Sequence, residues 1–120
     1  MSEIVIRNAT IESVRLGYDR GVFLCGWLFL DYGGSGQGFG GYVLWKKEDN
    51  PPVPMFPFTG LFVSRVLDVV GCESWEDLPG KSIRVKATYD KVIEIGNYLK
   101  DEWFNPGAEI TMMRDGILYA

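Results

Sequence analysis

Apolar and polar residues alternate through positions 10–18, with Val14, Leu16 and Tyr18 on one face and Ser13 and Arg15 on the other. Such a period-two pattern predicts a half-buried strand. Ile4 and Ile6 share the even parity but Ile11 breaks it, so a bulge or strand break is expected near Ala9. Asp19-Arg20-Gly21 has turn chemistry. Residues 22–31 are apolar on both faces, with Phe23, Cys25, Trp27 and Phe29 opposite Val22, Leu24, Leu28 and Leu30. That pattern predicts a central strand covered on both sides, with Trp27 in the core. A third strand is expected over 42–45.

The prolines Pro51, Pro52, Pro54 and Pro57 predict an extended loop over 46–58. Thr59 can cap a helix to about Val70, its apolar face formed by Phe62, Val66, Val69 and Val70 and its end marked by Gly71. Ser74-Trp75-Glu76-Asp77 resembles a capping box and predicts one short turn, ended by Pro79-Gly80. Ile83, Val85, Ala87 and Tyr89 then alternate with Arg84, Lys86 and Thr88, and Asp90-Lys91 reverses the chain. The return strand over 92–99 is expected to place Ile93, Ile95 and Leu99 on one face. Trp103-Phe104 is expected to dock back before Asn105-Pro106-Gly107 turns the chain. The fold class is therefore α+β: one domain over 1–120, with a mainly antiparallel sheet of about five strands and one principal helix packed on it. Residues 108–120 have no firm period and read as a loosely attached tail.

A chain of 120 residues with 47% hydrophobic and 23% charged residues is ordinary globular material. The longest apolar run is about half of the roughly 18 residues that a membrane span needs. The first residues lack the basic and apolar regions of a secretory leader. Cys25 reads as a buried thiol and Cys72 as a partly exposed one, both reduced, which points to the cytoplasm. A net charge of −4 argues against general nucleic-acid binding. Histidine is absent, which removes Ser-His-Asp and Cys-His catalysis and every histidine-containing metal site. No metal, cofactor or catalytic residue is expected. The acidic pairs Glu48-Asp49, Glu76-Asp77 and Asp101-Glu102 sit beside turns or prolines and read as solvated surface.

Six of the fifteen glycines fall in Gly33-Gly34-Ser35-Gly36-Gln37-Gly38-Phe39-Gly40-Gly41. Gly36, Gly38 and Gly41 match G-x-G-x-x-G, but strand-like Tyr42-Val43-Leu44-Trp45 follows where a dinucleotide site needs a helix. A phosphate loop fails as well, because no Gly-Lys-Ser/Thr closes the stretch. Three readings remain open. The glycines can supply positive φ and close backbone approach in a bulged crossing, they can be a flexible linker, or they can form a contact loop. The contact reading nominates Tyr32, Ser35, Gln37, Phe39 and Tyr42. Arg84 and Lys86 share one face of the later hairpin, and Trp103 sits at an element end where an aromatic is either a core lid or an interface anchor. Met55-Phe56-Pro57-Phe58 would be a sticky patch if exposed.

Two stretches carry a resemblance. Leu30-Asp31-Tyr32 through Gly41-Tyr42, and Trp75-Glu76-Asp77-Leu78-Pro79-Gly80-Lys81 together with Ile95-Gly96-Asn97-Tyr98-Leu99-Lys100-Asp101-Glu102-Trp103-Phe104, resemble a family of small phage and prophage proteins over about residues 8–106. The resemblance supplies no catalytic residues. It implies a soluble accessory protein in the cytoplasm of a bacterial host, one that blocks a defence component such as a CRISPR effector by occupying a functional surface. One alternative is an oligomeric module that traps a nucleotide signal against the loop amides, with Arg84 or Lys86 as counter-charge. The other is a small enzyme working through carboxylates such as Asp31, Glu76 and Asp101. A homo-oligomer is compatible with the binding readings.

Overall fold

The computed structural model describes residues 3–46 and 58–114. Six antiparallel strands form one sheet: β1 (Val5–Asp19), β2 (Phe23–Asp31), β3 (Gly36–Lys46), β4 (Ser82–Ala87), β5 (Val92–Asn97) and β6 (Trp103–Phe104). Their order is β3-β2-β1-β4-β5-β6. Two helices, α1 (Phe58–Val70) and α2 (Pro106–Arg114), complete the α+β domain. The sheet therefore has one strand more than the sequence pattern suggested, because the docked Trp103-Phe104 pair hydrogen-bonds to β5 as a strand of its own.

The length of β1 organises the sheet. Its first part, Val5 to Thr10, pairs with β4, and Thr10 to Asp19 pairs with β2. The register shifts between Ile11 and Ser13, so the extra residue is Glu12. A bulge of one residue exchanges the two faces of a strand. Ala9 and Ile11 are buried before it, and Val14 packs against the core after it. The parity break at Ile11 thus comes from a bulge on its far side, and Ile6, at 60% exposure, does not share the face of Val14.

The sheet curls until β3 approaches β5, and α1 lies in the concavity against β3, β5 and β6. Phe58, Phe62, Val66 and Val69 of α1 are buried, while Val70 is only partly so. Phe62 meets Phe39 of β3 and Phe104 of β6 at ring separations of 6.2 and 5.8 Å, and all three are fully buried. Gly26 of β2 makes this contact geometrically feasible, since a Cβ there would stand 2.7 Å from Phe62 Cε1. Thr59 does not cap the helix by its own hydroxyl; it donates instead to the Leu44 carbonyl and ties the helix start to β3. At the other end Gly71 adopts φ 88°, and the N–H groups of Gly71 and Cys72 both donate to the Leu67 carbonyl. Asn97 Nδ2 then donates to Val69 O, fixing that end to β5.

Several local expectations change. β2 is an interior strand, but the principal helix covers only one of its faces, so Trp27 is half-buried on the outer face rather than in the core. The 3-10 turn at Trp75–Asp77 forms, yet Ser74 Oγ donates to Asp77 Oδ2 and makes no cap to the backbone. A register shift after Lys86 turns Val92 inward in place of Ile93, and Leu99 is 87% exposed in a turn. The stretch after Asn105 is helical: Asn105 Oδ1 accepts from Ala108 N and caps α2. Arg65 pairs with Glu109 at 3.2 Å, so the start of the expected tail is anchored. Of the loop expected over 46–58, Lys46 instead ends β3 and Phe58 opens α1; residues 47–57, Met55-Phe56-Pro57 among them, and residues 115–120 lie outside the described residues.

Gly26→Ala should destabilise the protein by about 1–3 kcal/mol, because the new methyl overpacks Phe62. Gly60→Ala, where a Cβ meets nothing within 4 Å on α1, should stabilise by about 0.5–1 kcal/mol. Urea unfolding of the two variants beside the parent measures both.

Candidate functional site

The glycine-rich stretch is a strand rather than a loop from Gly36 onward. Gly33 and Gly34 take positive φ in the β2–β3 turn, and Gly40 and Gly41 do so again at a register shift in β3. A Cβ on Gly40 would overlap the Gly26 carbonyl oxygen, and one on Gly41 would overlap the Trp27 ring. Gly40 thus permits a close backbone approach and Gly41 a close approach of the indole, while Gly33 and Gly34, with open space around them, supply only the positive φ of the turn. The indole of Trp27 leans across β3 against Gly38 and Gly41, and its ring runs nearly parallel to that of Phe29, 6.0 Å away.

The five nominated residues of this segment separate into distinct roles. Tyr32 donates its hydroxyl to Gln37 Oε1, and Gln37 Nε2 donates to the Thr88 and Tyr89 carbonyls at 3.1 and 3.0 Å. The guanidinium carbon of Arg7 lies 3.8 Å from the centre of the Tyr32 ring. Together these groups clasp the β2–β3 turn to the β4–β5 hairpin across the curled sheet. Ser35 is exposed in the turn, where its carbonyl accepts from Tyr32 N. Phe39 is fully buried on Phe62 and Phe104, so it cannot meet a partner in the folded state. Tyr42 packs half-buried against the core.

Arg84, Lys86 and Trp103 come together on the outer face. The register places Arg84 opposite Gly96 and Gly96 opposite Trp103. A Cβ on Gly96 would press into the Trp103 ring, so the indole can rest against bare backbone there. Lys86 Nζ lies 4.3 Å and Arg84 Cζ 4.9 Å from its centre. Cations so placed over an indole gain about 0.5–2 kcal/mol. Arg84 is held by Asn97 O at 2.8 Å and Lys100 O at 2.7 Å, while Trp103 Nε1 donates to Asp101 Oδ1 at 2.8 Å. Lys86 also approaches Glu94 at 3.8 Å. The same face presents Ile6 at 60%, Phe29 at 39% and Val43 at 53% exposure. Both α1 and Ile110 of α2 pack on the core side instead. The exposure of Trp27 and Phe29 was missed in the sequence pattern; glycines two apart on the neighbouring strand were the available signal, since large outer rings need bare backbone beside them.

The carboxylates form no shared cluster that could hold a metal ion among the described residues. Asp31 accepts from the Gly33 amide, Asp77 from Ser74 and Asp101 from Trp103, each within its own turn. Burial pushes the Cys25 and Cys72 thiols up from their ordinary value. Both cysteines are free, and at each the effect of burial outweighs that of the nearby cation, Arg15 for Cys25 and Lys81 for Cys72, so neither thiol is shifted toward the thiolate. No helix among the described residues is long and apolar enough to cross a membrane. The site therefore defines a rigid face of aromatic and cationic side chains on an antiparallel sheet. Comparison with protein-family models, curated proteins and solved structures gives no match to this chain.

Burial also raises the Tyr32 and Tyr42 phenols above their ordinary value of 10.0, with Arg7 partly offsetting the effect at Tyr32. A phenol whose pKa is higher folded than unfolded favours the fold fully below the unfolded value, and that contribution is lost as pH rises through the folded one. Urea midpoints should therefore fall from about pH 10 upward. Tyr32→Phe should lower stability by about 1 kcal/mol at neutral pH and flatten that alkaline fall.

Proposed function

We propose that this is a non-catalytic binding protein that engages a protein partner through the outer face of its sheet. The observation that carries the reading is the Trp103 indole against Gly96, with Arg84 and Lys86 over it, on a face that also exposes Phe29 and Ile6. Tryptophan and arginine dominate binding energy at protein interfaces, and side chains already fixed in place lose little entropy on association. The resemblance to small phage and prophage proteins suggests the kind of partner: a bacterial defence component, such as a CRISPR effector, whose working surface the protein covers. Separately held carboxylates and the absence of histidine favour binding over catalysis. The nucleotide-trapping alternative has less support, because the glycines pair as a strand and Arg84 is committed to two carbonyls.

Native mass spectrometry after exposure to extract of phage-infected bacteria tests the reading. A stoichiometric complex with one large effector is expected, and Lys86→Glu and Phe29→Asp should each weaken it at least about tenfold. Both variants should keep a cooperative thermal transition. A complex indifferent to both substitutions, or turnover of a substrate by the purified protein, would contradict the proposal.

A further inference from the structure

A hollow of about 490 Å³ opens where β3 faces the β4–β5 turn. Trp27, Gly40, Gly41 and Tyr42 line one side and Asp90 and Lys91 the other. Its size falls within the range of sites for small molecules. The curled sheet leaves this gap because the two elements are joined there by the Gln37 side chain, which reaches the Thr88 and Tyr89 carbonyls. The indole wall is set in advance: Gly38 and Gly41 lack the Cβ atoms that would displace it, and Phe29 runs alongside. Asp90 and Lys91 are exposed at the tip of the hairpin, and Thr88 Oγ1 accepts from both of their amides at 3.2 Å. The hollow thus joins a fixed aromatic wall to one acceptor group and one donor group on a braced turn.

We infer that this hollow is a binding site for a neutral sugar ring, distinct from the Trp103 cluster of the proposed protein-binding face, whose Phe29 flanks the indole wall. A pyranose has a face of C–H bonds that packs on an indole, and a rim of hydroxyls that both donate and accept. The hydroxyls can donate to the Asp90 carboxylate and accept from the Lys91 ammonium. Hydrogen bonds to charged groups are the stronger kind, and a site built to make them discriminates against ligands that lack the matching hydroxyls. Charge selects between flat ligands. The lining carries one anion, Asp90, and one cation, Lys91, so it offers no net attraction to phosphate, and a nucleotide would bring its negative charge against Asp90. A neutral ring meets no such opposition. The inference does not depend on the identity of any protein partner.

Titration with cellobiose, N,N′-diacetylchitobiose and maltose, followed by the indole N–H resonance of Trp27, tests the site, with AMP as the charged flat comparator. At least one disaccharide should give a saturable shift with Kd on the order of 0.1–10 mM, the affinity of a small, exposed site. Asp90→Ala and Lys91→Ala, both at exposed turn positions, should each weaken that binding at least about fivefold and leave the thermal midpoint unchanged. The inference fails if none of the three sugars moves Trp27 saturably or if AMP binds more tightly than they do. Sugar binding that survives both substitutions, or that shifts Trp103 in place of Trp27, overturns it equally.

Discussion

The contact between Phe62 and the bare backbone of Gly26 is the constraint on which the rest of the structure rests. A helix can lie this deep in a curled sheet only where the strand beneath it presents no side chain. Phe62 then reaches Phe39 and Phe104, which come from β3 and β6 near opposite ends of the strand order. One side chain thereby ties together the two flanks of the sheet. Truncating a fully buried phenylalanine of this kind costs about 3–5 kcal/mol, a large share of the stability of a small domain. Gly40 adds the second close approach, where β3 crosses the Gly26 carbonyl.

The same device shapes the outer face. Trp27 occupies the space left by Gly38 and Gly41, and Trp103 that left by Gly96. Large rings that would otherwise move between rotamers are held against backbone, and the cations of Arg84 and Lys86 lie over the Trp103 ring. Glycine therefore supplies rigidity here through what packs on it, despite its own conformational freedom. The fold's interior and its candidate contact surface are two consequences of one pattern of missing Cβ atoms. The Tyr32–Gln37 clasp completes the arrangement by fixing how far the sheet curls, which in turn sets the gap between β3 and the β4–β5 turn.

Much of this was legible in the residues. The α1 boundaries, the Gly71 stop and the Ile83/Val85/Ala87 alternation followed from local periodicity and capping chemistry, which act within a few residues. Arg84 and Lys86 were legible as one hairpin face and Trp103 as a separate element end, and the antiparallel register brings the three together. What escaped was information held between distant segments. Whether the glycine stretch was a loop or a strand depended on Trp27, some ten residues earlier, needing bare backbone beside it. Phe39 looked like a contact residue among glycines because its partners, Phe62 and Phe104, lie far along the chain. The α2 start escaped for a different reason: Asn105-Pro106-Gly107 is equally good as a turn and as a capped first helical turn, and Arg65 decides by reaching Glu109.

The outer sheet face, with its rings set on glycine, is the proposed working surface of the molecule. Oxidative footprinting of the protein alone and in its purified complex tests this most directly. Modification of Trp103 and Phe29 should slow markedly in the complex while that of Trp75, which packs against the core, stays the same. Unchanged rates at Trp103 and Phe29, with protection elsewhere on the surface, would contradict the account.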